Sequence, residues 1–403
     1  MENKINVYSE IGALKKVLVH TPNKEIEYVT PSRLNELLFS AVLEPKSARS
    51  EHLEFVKILQ DNGVEVVQLI DLVVETLNEV DENTKTQFIK QYLSEAIPKI
   101  EDNAFLIVYN YFLNLLKTPH QMVQKMMEGL LAKELNIKTQ NELIIDPMPN
   151  LYFTRDPFAS VGNGITLNTM YYPTRRRETI FAQFIFKHHK DYKTTPLYYD
   201  RYENDSIEGG DVFIYGKDKL VVGCSQRTSL KAIQKLAHNI QQNKEVKFKK
   251  IYVVNVPKKG ELMHLDTWLT MLDYNKFLYS PNMMSVLKFW EIDLNTPDLN
   301  LKEINCSLQQ FLESIINQPV SLIPVGGKNA TQIEVDIETN FDATNYLVIR
   351  PGVVVGYSRN YKTELALKEN GIQVIPLNGN QLSLGMGSCR CMSMPLYRED
   401  LDK

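Results

Sequence analysis

The chain has little cysteine, little arginine and no long apolar run, and each shortage excludes something. Four cysteines in 403 residues, at positions 224, 306, 389 and 391, do not make a disulfide framework in a chain this long. The longest nearly apolar run, Ala104 to Leu116, contains Asn110 and Asn114 and is too short to span a bilayer. The start, MENKINVYSEIG, has neither a basic n-region nor an apolar h-region, so no signal peptide is expected. These features predict a soluble, cytoplasmic protein without a membrane partner. Net charge is −4, and the only basic block is Arg175-Arg176-Arg177, which argues against a nucleic-acid partner. Of the 45 basic residues, 12 are Arg and 33 are Lys, with no Arg between residues 50 and 154. Arg offers a rigid two-pronged fork to carboxylates and Lys does not, so each Arg here merits attention.

What is present is ordinary globular composition, 43% apolar and 23% charged, in a length that suits about two to three domains. Residues 1–72 read as α/β. Leu14 to His20 forms a strand, Ser47 to Gln60 a helix with Ser47 as its N-cap, and Val64 to Leu69 a second strand after the Asn62-Gly63 turn. Residues 73–147 change character: three patterns with a period near 3.6 run Thr84 to Ile97, Asn103 to Leu116 and His120 to Leu135. The stripe of Met122, Met126 and Met127 reads as core packing. This stretch is expected to be an all-helical insertion, closed by Pro147-Met148-Pro149.

From residue 148 onward the chain is strand-rich and loosely repetitive. Strand, tight turn and second strand recur at Leu151 to Leu167, Gly210 to Gly223, Leu269 to Tyr279 and Tyr346 to Val355. Helix patterns follow at Ser229 to Ile240 and Tyr361 to Asn370, and further strands at Ile251 to Val256 and Ile372 to Ile375. With the unit at Leu14, these make five similar ββα units, a pattern that suggests radial closure around a centre.

Polar clusters sit at the ends of these strands. Asp156, just before Pro157, suits an Asx-turn or a site carboxylate. In Glu208-Gly209-Gly210-Asp211, two glycines between acids allow either a plain turn or a close backbone approach. The flanking acids disfavour phosphate. His264 and Asp266, read on a strand, would share one side, which suits acid/base work or metal ligation. A zinc site would want a third nearby His or Cys, and none is evident. Cys389 and Cys391, also read on a strand, would share a face, either as small apolar residues, as a metal or redox pair, or with one as a nucleophilic thiol. One thiol, one His and several carboxylates point to a cationic substrate. A planar guanidinium is the cation that wants paired carboxylates.

Six segments then carry a resemblance: FTRDPFAS (153–160), RRRET (175–179), EGGDVFIY (208–215), MHLDTWLT (263–270), GVVVGYSRN (352–360) and LSLGMGSCRCMSMPL (382–396). Together they resemble the arginine deiminases, with a mycoplasma-like flavour, over essentially the whole chain. The resemblance implies a five-bladed α/β propeller of ββαβ units, spanning 1–72 and 148–403, with a helical domain inserted at 73–147. It implies hydrolysis of free L-arginine to L-citrulline and ammonia without metal or organic cofactor, by a homodimer. It assigns Cys391 as the nucleophile that forms a thiouronium intermediate and His264 as the acid/base. Asp156, Asp266 and Glu208 become guanidinium-binding acids, Arg175 and Arg227 hold the α-carboxylate, and Asn150 is an auxiliary contact. Cys389, Met386, Gln226 and Ala343 depart from the expected pattern, and Ala343 stands where a glycine turn is expected. Arg155 and Arg390 read as structural. A related guanidine hydrolase, an amidinotransferase or a non-catalytic paralogue are the alternatives.

Overall fold

The computed structural model describes residues 4–96, 102–243, 245–257 and 263–401. Its main feature is one strand arrangement used five times. In each case an antiparallel pair is followed by a helix and a third strand that pairs parallel with the second. The second sheet is typical: Phe158–Val161 pairs antiparallel with Gly164–Leu167, the helix Thr179–His188 crosses over, and Leu197–Tyr199 joins in parallel. The crossover helix is what a parallel pairing requires, because the chain must return to the same sheet edge before running the same way again. The third sheet runs Val212–Ile214, Lys219–Cys224 and Lys250–Asn255, the fourth Leu269–Asp273, Lys276–Tyr279 and Ser321–Pro324, and the fifth Leu347–Arg350, Val353–Tyr357 and Gln373–Leu377.

The first sheet differs in its origin. Leu14–Val19 pairs in parallel with Glu65–Gln68, but its antiparallel partner is Met394–Arg398, from the far end of the chain. Two strands not read from the sequence, Phe289–Asp293 and Leu301–Ile304, widen the third sheet to five strands.

The helix expected from Ser47 runs Pro45–Asp61 instead, and its N-cap is Glu44, whose carboxylate accepts from the amides of Lys46 and Ser47. A proline at the first helical position has no amide to leave unpaired, so the helix starts there rather than two residues later. Beyond it, helices Leu69–Glu79, Glu82–Ala96, Asp102–Leu115 and Pro119–Glu128 fill the stretch read as helical. That stretch begins before residue 73, because Leu69 already opens a helix that buries Leu72, Val73 and Leu77. Nor is it wholly helical: Leu130–Leu131 and Leu143–Ile145 pair antiparallel, so the pattern read to Leu135 breaks at Gly129, whose φ is +86°. The expected helix end at Ile97 and Pro98 lies outside the described residues. The apolar faces of these helices share one core with Phe158, Ile165 and Phe181 of the second sheet and its crossover helix. Each such side chain stabilises the fold by about 1.5–3 kcal/mol. Among the described residues, no helix is long and apolar enough to cross a membrane.

Candidate functional site

Each sheet opens with a strand, and a turn bearing polar side chains precedes that strand. Asp156 comes before Phe158, Glu208 and Asp211 before Val212, His264 and Asp266 before Leu269, Asn345 before Leu347, and Cys391 before Met394. Hydrogen bonds tie these five turns into a ring. The Arg155 amide donates to the Cys391 carbonyl at 3.1 Å, and the Gly209 amide to the Asp156 carbonyl at 3.4 Å. The Leu265 amide donates to Asp211 Oδ1 at 2.8 Å, the Thr344 hydroxyl to the Asp266 carbonyl at 3.2 Å, and the Cys391 amide to Asn345 Oδ1 at 3.0 Å.

Three of the turns differ from the strands expected there. Leu265–Thr267 is a single 3₁₀ turn with His264 as its N-cap, and the strand starts only at Leu269. His264 and Asp266 therefore do not share a strand face. The Thr267 hydroxyl accounts for this, because it donates to the His264 carbonyl at 2.6 Å and competes with extended pairing. Cys389 and Cys391 also lie in a turn, held by the Ser393 hydroxyl donating to the carbonyls of Cys389 and Arg390. Cys391 lines a small cavity with His264, whereas Cys389 packs in the apolar core, fully buried, where burial pushes its thiol up to about 12. Likewise Gly209–Asp211 is a 3₁₀ turn, not the start of a strand.

The cavity is lined by Leu38, Asn150, Phe153, Asp156, Arg175, Arg227, Met263, His264, Thr267, Gly385, Met386 and Cys391, and holds only about 20 Å³, room for about one water. A far larger hollow, about 1140 Å³, lies between the 24–33 segment and the 131–146 hairpin and contains none of the site residues. The small one brings together Asp156, His264 and Cys391, which the sequence singles out. Leu38 and Met386 on its wall have φ of 62° and 61°, a left-handed conformation uncommon for side chains of this size. Asn150 steadies that wall by donating to the Leu37 carbonyl at 2.8 Å.

Every site residue named from the sequence is buried here. Glu208 Oε2 accepts from His264 Nε2 at 2.8 Å and from Arg227 Nη1 at 3.1 Å. Arg175 Nη1 donates to Asp156 Oδ2 at 2.6 Å, while its Nε and Nη2 grip Glu178. Arg390 Nη1 donates to Asp266 Oδ2 at 2.9 Å, and Cys391 Sγ lies 3.6 Å from that same oxygen. Thus Asp156, Glu208 and Asp266 each have one internal guanidinium as partner. The other oxygens of the two aspartates, Asp156 Oδ1 and Asp266 Oδ1, are buried with no hydrogen-bond partner among the described residues.

The electrostatics follow from this packing. Burial disfavours the imidazolium of His264, but Asp156, Glu208 and Asp211 outweigh it and lift the group to about 9. Burial acts on Glu208 too, but Arg227 and His264 hold it down at about 2. Cys391 is pushed well above the ordinary thiol range by burial and by Asp266, Asp156 and Asp342, against the pull of Arg390. Burial raises Asp211 to about 6 and Glu178 to about 7. Asp156, Glu208 and His264 are the group among the described residues whose ligand atoms lie within 4.8 Å of one another, the minimum for a metal ion. Two of the three already carry arginine partners, so a divalent cation would have to displace those guanidinium contacts.

Sequence reasoning missed Glu178, Asn345 and Asp342 as neighbours of the site. Glu178 was detectable, because it stands three residues after Arg175 on one helical turn. Asn345 was not, since its role depends on a turn 46 residues away in the chain. The concern over Ala343 does not arise: the left-handed residue in that turn is Asp342, with φ of 57°, and Ala343 continues in ordinary conformation. Arg155 and Arg390 had both been read as structural, yet Arg390 bonds directly to a site carboxylate.

The fold is similar to those of two solved enzymes. An amidinotransferase of Microseira wollei from the saxitoxin biosynthetic pathway is similar with a TM-score of 0.58 at 16% identity, covering 99% of this chain and 98% of its own. A dimethylarginine dimethylaminohydrolase of Pseudomonas aeruginosa gives 0.54 at 13% identity, covering 95% and 99%. The arginine deiminase family profile matches residues 35–398. The arginine deiminase of Metamycoplasma hominis is 55% identical over 405 residues, covering 99% of this chain and 98% of its own. That of Metamycoplasma arthritidis is 53% identical over 399 residues, covering 98% and 97%. The chain belongs to the arginine deiminase family.

Proposed function

We propose that this enzyme hydrolyses free L-arginine to L-citrulline and ammonia at Cys391, working in the cytoplasm as a homodimer. In this reading the five sheets are the blades of one propeller, residues 1–72 and 148–403, and 73–147 is an insertion. The observation that supports the chemistry is two buried aspartate oxygens without a hydrogen-bond donor: Asp156 Oδ1, on the cavity wall and 4.0 Å from His264 Nδ1, and Asp266 Oδ1, on the carboxylate whose Oδ2 lies 3.6 Å from the Cys391 thiol. Buried acceptors without donors are costly, and a guanidinium bearing N–H groups on either side satisfies both.

Held this way, the guanidinium carbon faces Cys391 Sγ. Burial and the surrounding acids make the thiol hard to ionise, so the incoming cation makes the thiolate accessible as the thiol proton leaves to solvent. This favours substrate-assisted deprotonation over a resting thiolate–imidazolium pair, because His264 is already engaged by Glu208. Sulfur attacks the carbon, a terminal C–N bond breaks, and His264, charged at neutral pH, gives its proton to the departing ammonia. The thiouronium remains on Cys391. His264, now neutral, takes a proton from water as the oxygen adds to the same carbon. The C–S bond then breaks as the added hydroxyl gives its remaining proton to the departing sulfur, returning the thiol and leaving citrulline, while ammonia takes up a solvent proton. No step calls on a metal or organic cofactor. Arginine enters only when the wall of Leu38 and Met386 moves, since the cavity is water-sized. Arg175 and Arg227 are the cations nearest for the substrate carboxylate, and binding it means loosening their hold on Asp156 and Glu208. Asn150 contributes by holding the wall.

The test is citrulline formation with arginine, agmatine and methylated arginine in parallel. Arginine alone is expected to turn over well. Equal turnover of agmatine, which has no carboxylate, would reject the substrate assignment. Amidino transfer to an added amine at a rate matching hydrolysis would favour an amidinotransferase.

A further inference from the structure

Glu10 lies ahead of the first sheet, far in sequence from every residue assigned a role in the site. Backbone and side chain both tie it to the third sheet: the Glu10 amide donates to the Ile214 carbonyl at 2.9 Å, and the Ile214 amide donates to Glu10 Oε1 at 3.2 Å. Its carboxylate, only 11% exposed, therefore has a fixed position. It faces the back of Arg390, accepting from Nε at 3.3 Å and from Nη2 at 3.3–3.4 Å. The Arg390 guanidinium also lies flat over the Phe213 ring, 3.8 Å from its centroid, and donates from Nη2 to the Val212 carbonyl. Its remaining prong, Nη1, reaches Asp266 Oδ2, the oxygen 3.6 Å from Cys391 Sγ.

We infer that Glu10 is a positioning residue for the reaction. Through Arg390 it fixes which oxygen of Asp266 is engaged and how much positive charge Asp266 and Cys391 receive. This rests on the reading of Asp266 as a guanidinium ligand. One cation sits between two acids at opposite ends of a planar fork. Without the charge at Glu10, more of the Arg390 field falls on Asp266 and the thiol. Asp266 then holds the substrate cation less strongly, and the thiolate forms more easily. The other charged groups near this chain are Arg155 and Arg398 beside Arg390, and Asp156, Asp342, His264, Arg175 and Arg227 around Cys391. None of them contacts the Arg390 fork through a hydrogen-bonded side chain as Glu10 and Asp266 do.

The experiment compares Glu10→Gln, which keeps the shape, with Glu10→Asp, which keeps the charge. Readouts are citrulline kinetics, the pH dependence of Cys391 alkylation by iodoacetamide followed by peptide mass, and thermal melting. For Glu10→Gln, KM for arginine is expected to rise about tenfold, the worth of roughly one charge-assisted hydrogen bond, with a smaller change in kcat. The midpoint of alkylation is expected to move to lower pH by about one unit. Glu10→Asp is expected to bring both back toward the parent, and it serves alone if the Gln variant does not fold. A drop in melting temperature with KM and alkylation midpoint unchanged would overturn the inference. Asp266→Asn is measured alongside. If it keeps parental KM and turnover, the reading of Asp266 itself fails. If it loses turnover while Glu10→Gln behaves as the parent, only the role of Glu10 fails.

Discussion

Removing the charge of Glu208 tests the ion pair at the centre of the site. Glu208→Gln keeps the volume and an acceptor oxygen but withdraws the negative charge that His264 Nε2 meets at 2.8 Å and Arg227 Nη1 at 3.1 Å. His264 is lifted from 6.5 to about 9 by Asp156, Glu208 and Asp211 acting against burial, a preference for imidazolium of roughly 3 kcal/mol. Because this folded value is raised, the stabilisation is fully present below pH 6.5 and is lost as pH rises through about 9. Glu208 is depressed from 4.5 to about 2, so its share is present above pH 4.5 and lost as pH falls through about 2. The two describe one pair and are not added. In Glu208→Gln, burial regains ground, and the His264 midpoint is expected to fall by about one to two units. The proton donor to ammonia is then scarcer at pH 8, and kcat is expected to fall about two- to tenfold there from this cause. The assay is citrulline release from pH 5 to 10, with folding checked by circular dichroism. An alkaline limb that stays in place in the variant would refute the argument that this pair sets the proton donor.

Two other outcomes are expected. Cys391→Ser abolishes citrulline formation with cooperative unfolding retained, while Cys389→Ala, whose thiol lies in the core, keeps most activity; colorimetric citrulline assays decide both, and the reverse result would exchange the roles of the two thiols. Gly210→Ala introduces a Cβ only 2.5 Å from His264 Nδ1, so the ring must shift, and kcat is expected to fall about 10²-fold although no reacting group is changed. Unaltered kcat in that variant would mean that the ring tolerates displacement.

The parts of the fold legible in the sequence were those with local causes. Gly216-Lys217-Asp218-Lys219 turns the third hairpin because such residues suit tight turns, and Ser229 caps its helix by accepting from the Ala232 amide. The helical stretch after residue 69 was visible through its period, although Gly129 ended it sooner than the apolar pattern suggested. The turns at His264 and at Cys391 look like strands in the sequence, because alternating side chains in MHLDT and CRC mimic strand periodicity. What overrides that pattern is hydrogen bonding by Thr267 and Ser393 to nearby carbonyls, which short-range pattern reasoning does not weigh.

The sequence by itself determined which chemistry the protein has. One reactive thiol, a histidine and clustered acids at strand ends name a cationic planar substrate, and their motifs name the family. The tertiary structure decided how those groups meet. Met394–Arg398 completes the sheet begun at Leu14, a pairing between the two ends of the chain that no local pattern encodes. That closure sets the Cys391 turn against the Arg155 turn and completes the ring of five. Only the packed structure assigns the scarce arginines. Arg175, Arg227 and Arg390 each hold one site carboxyl, and Glu10 stands behind Arg390. The pairs of Arg390 with Asp266 and with Glu10 join segments 124 and 380 residues apart, and such distances exist only once the chain has folded.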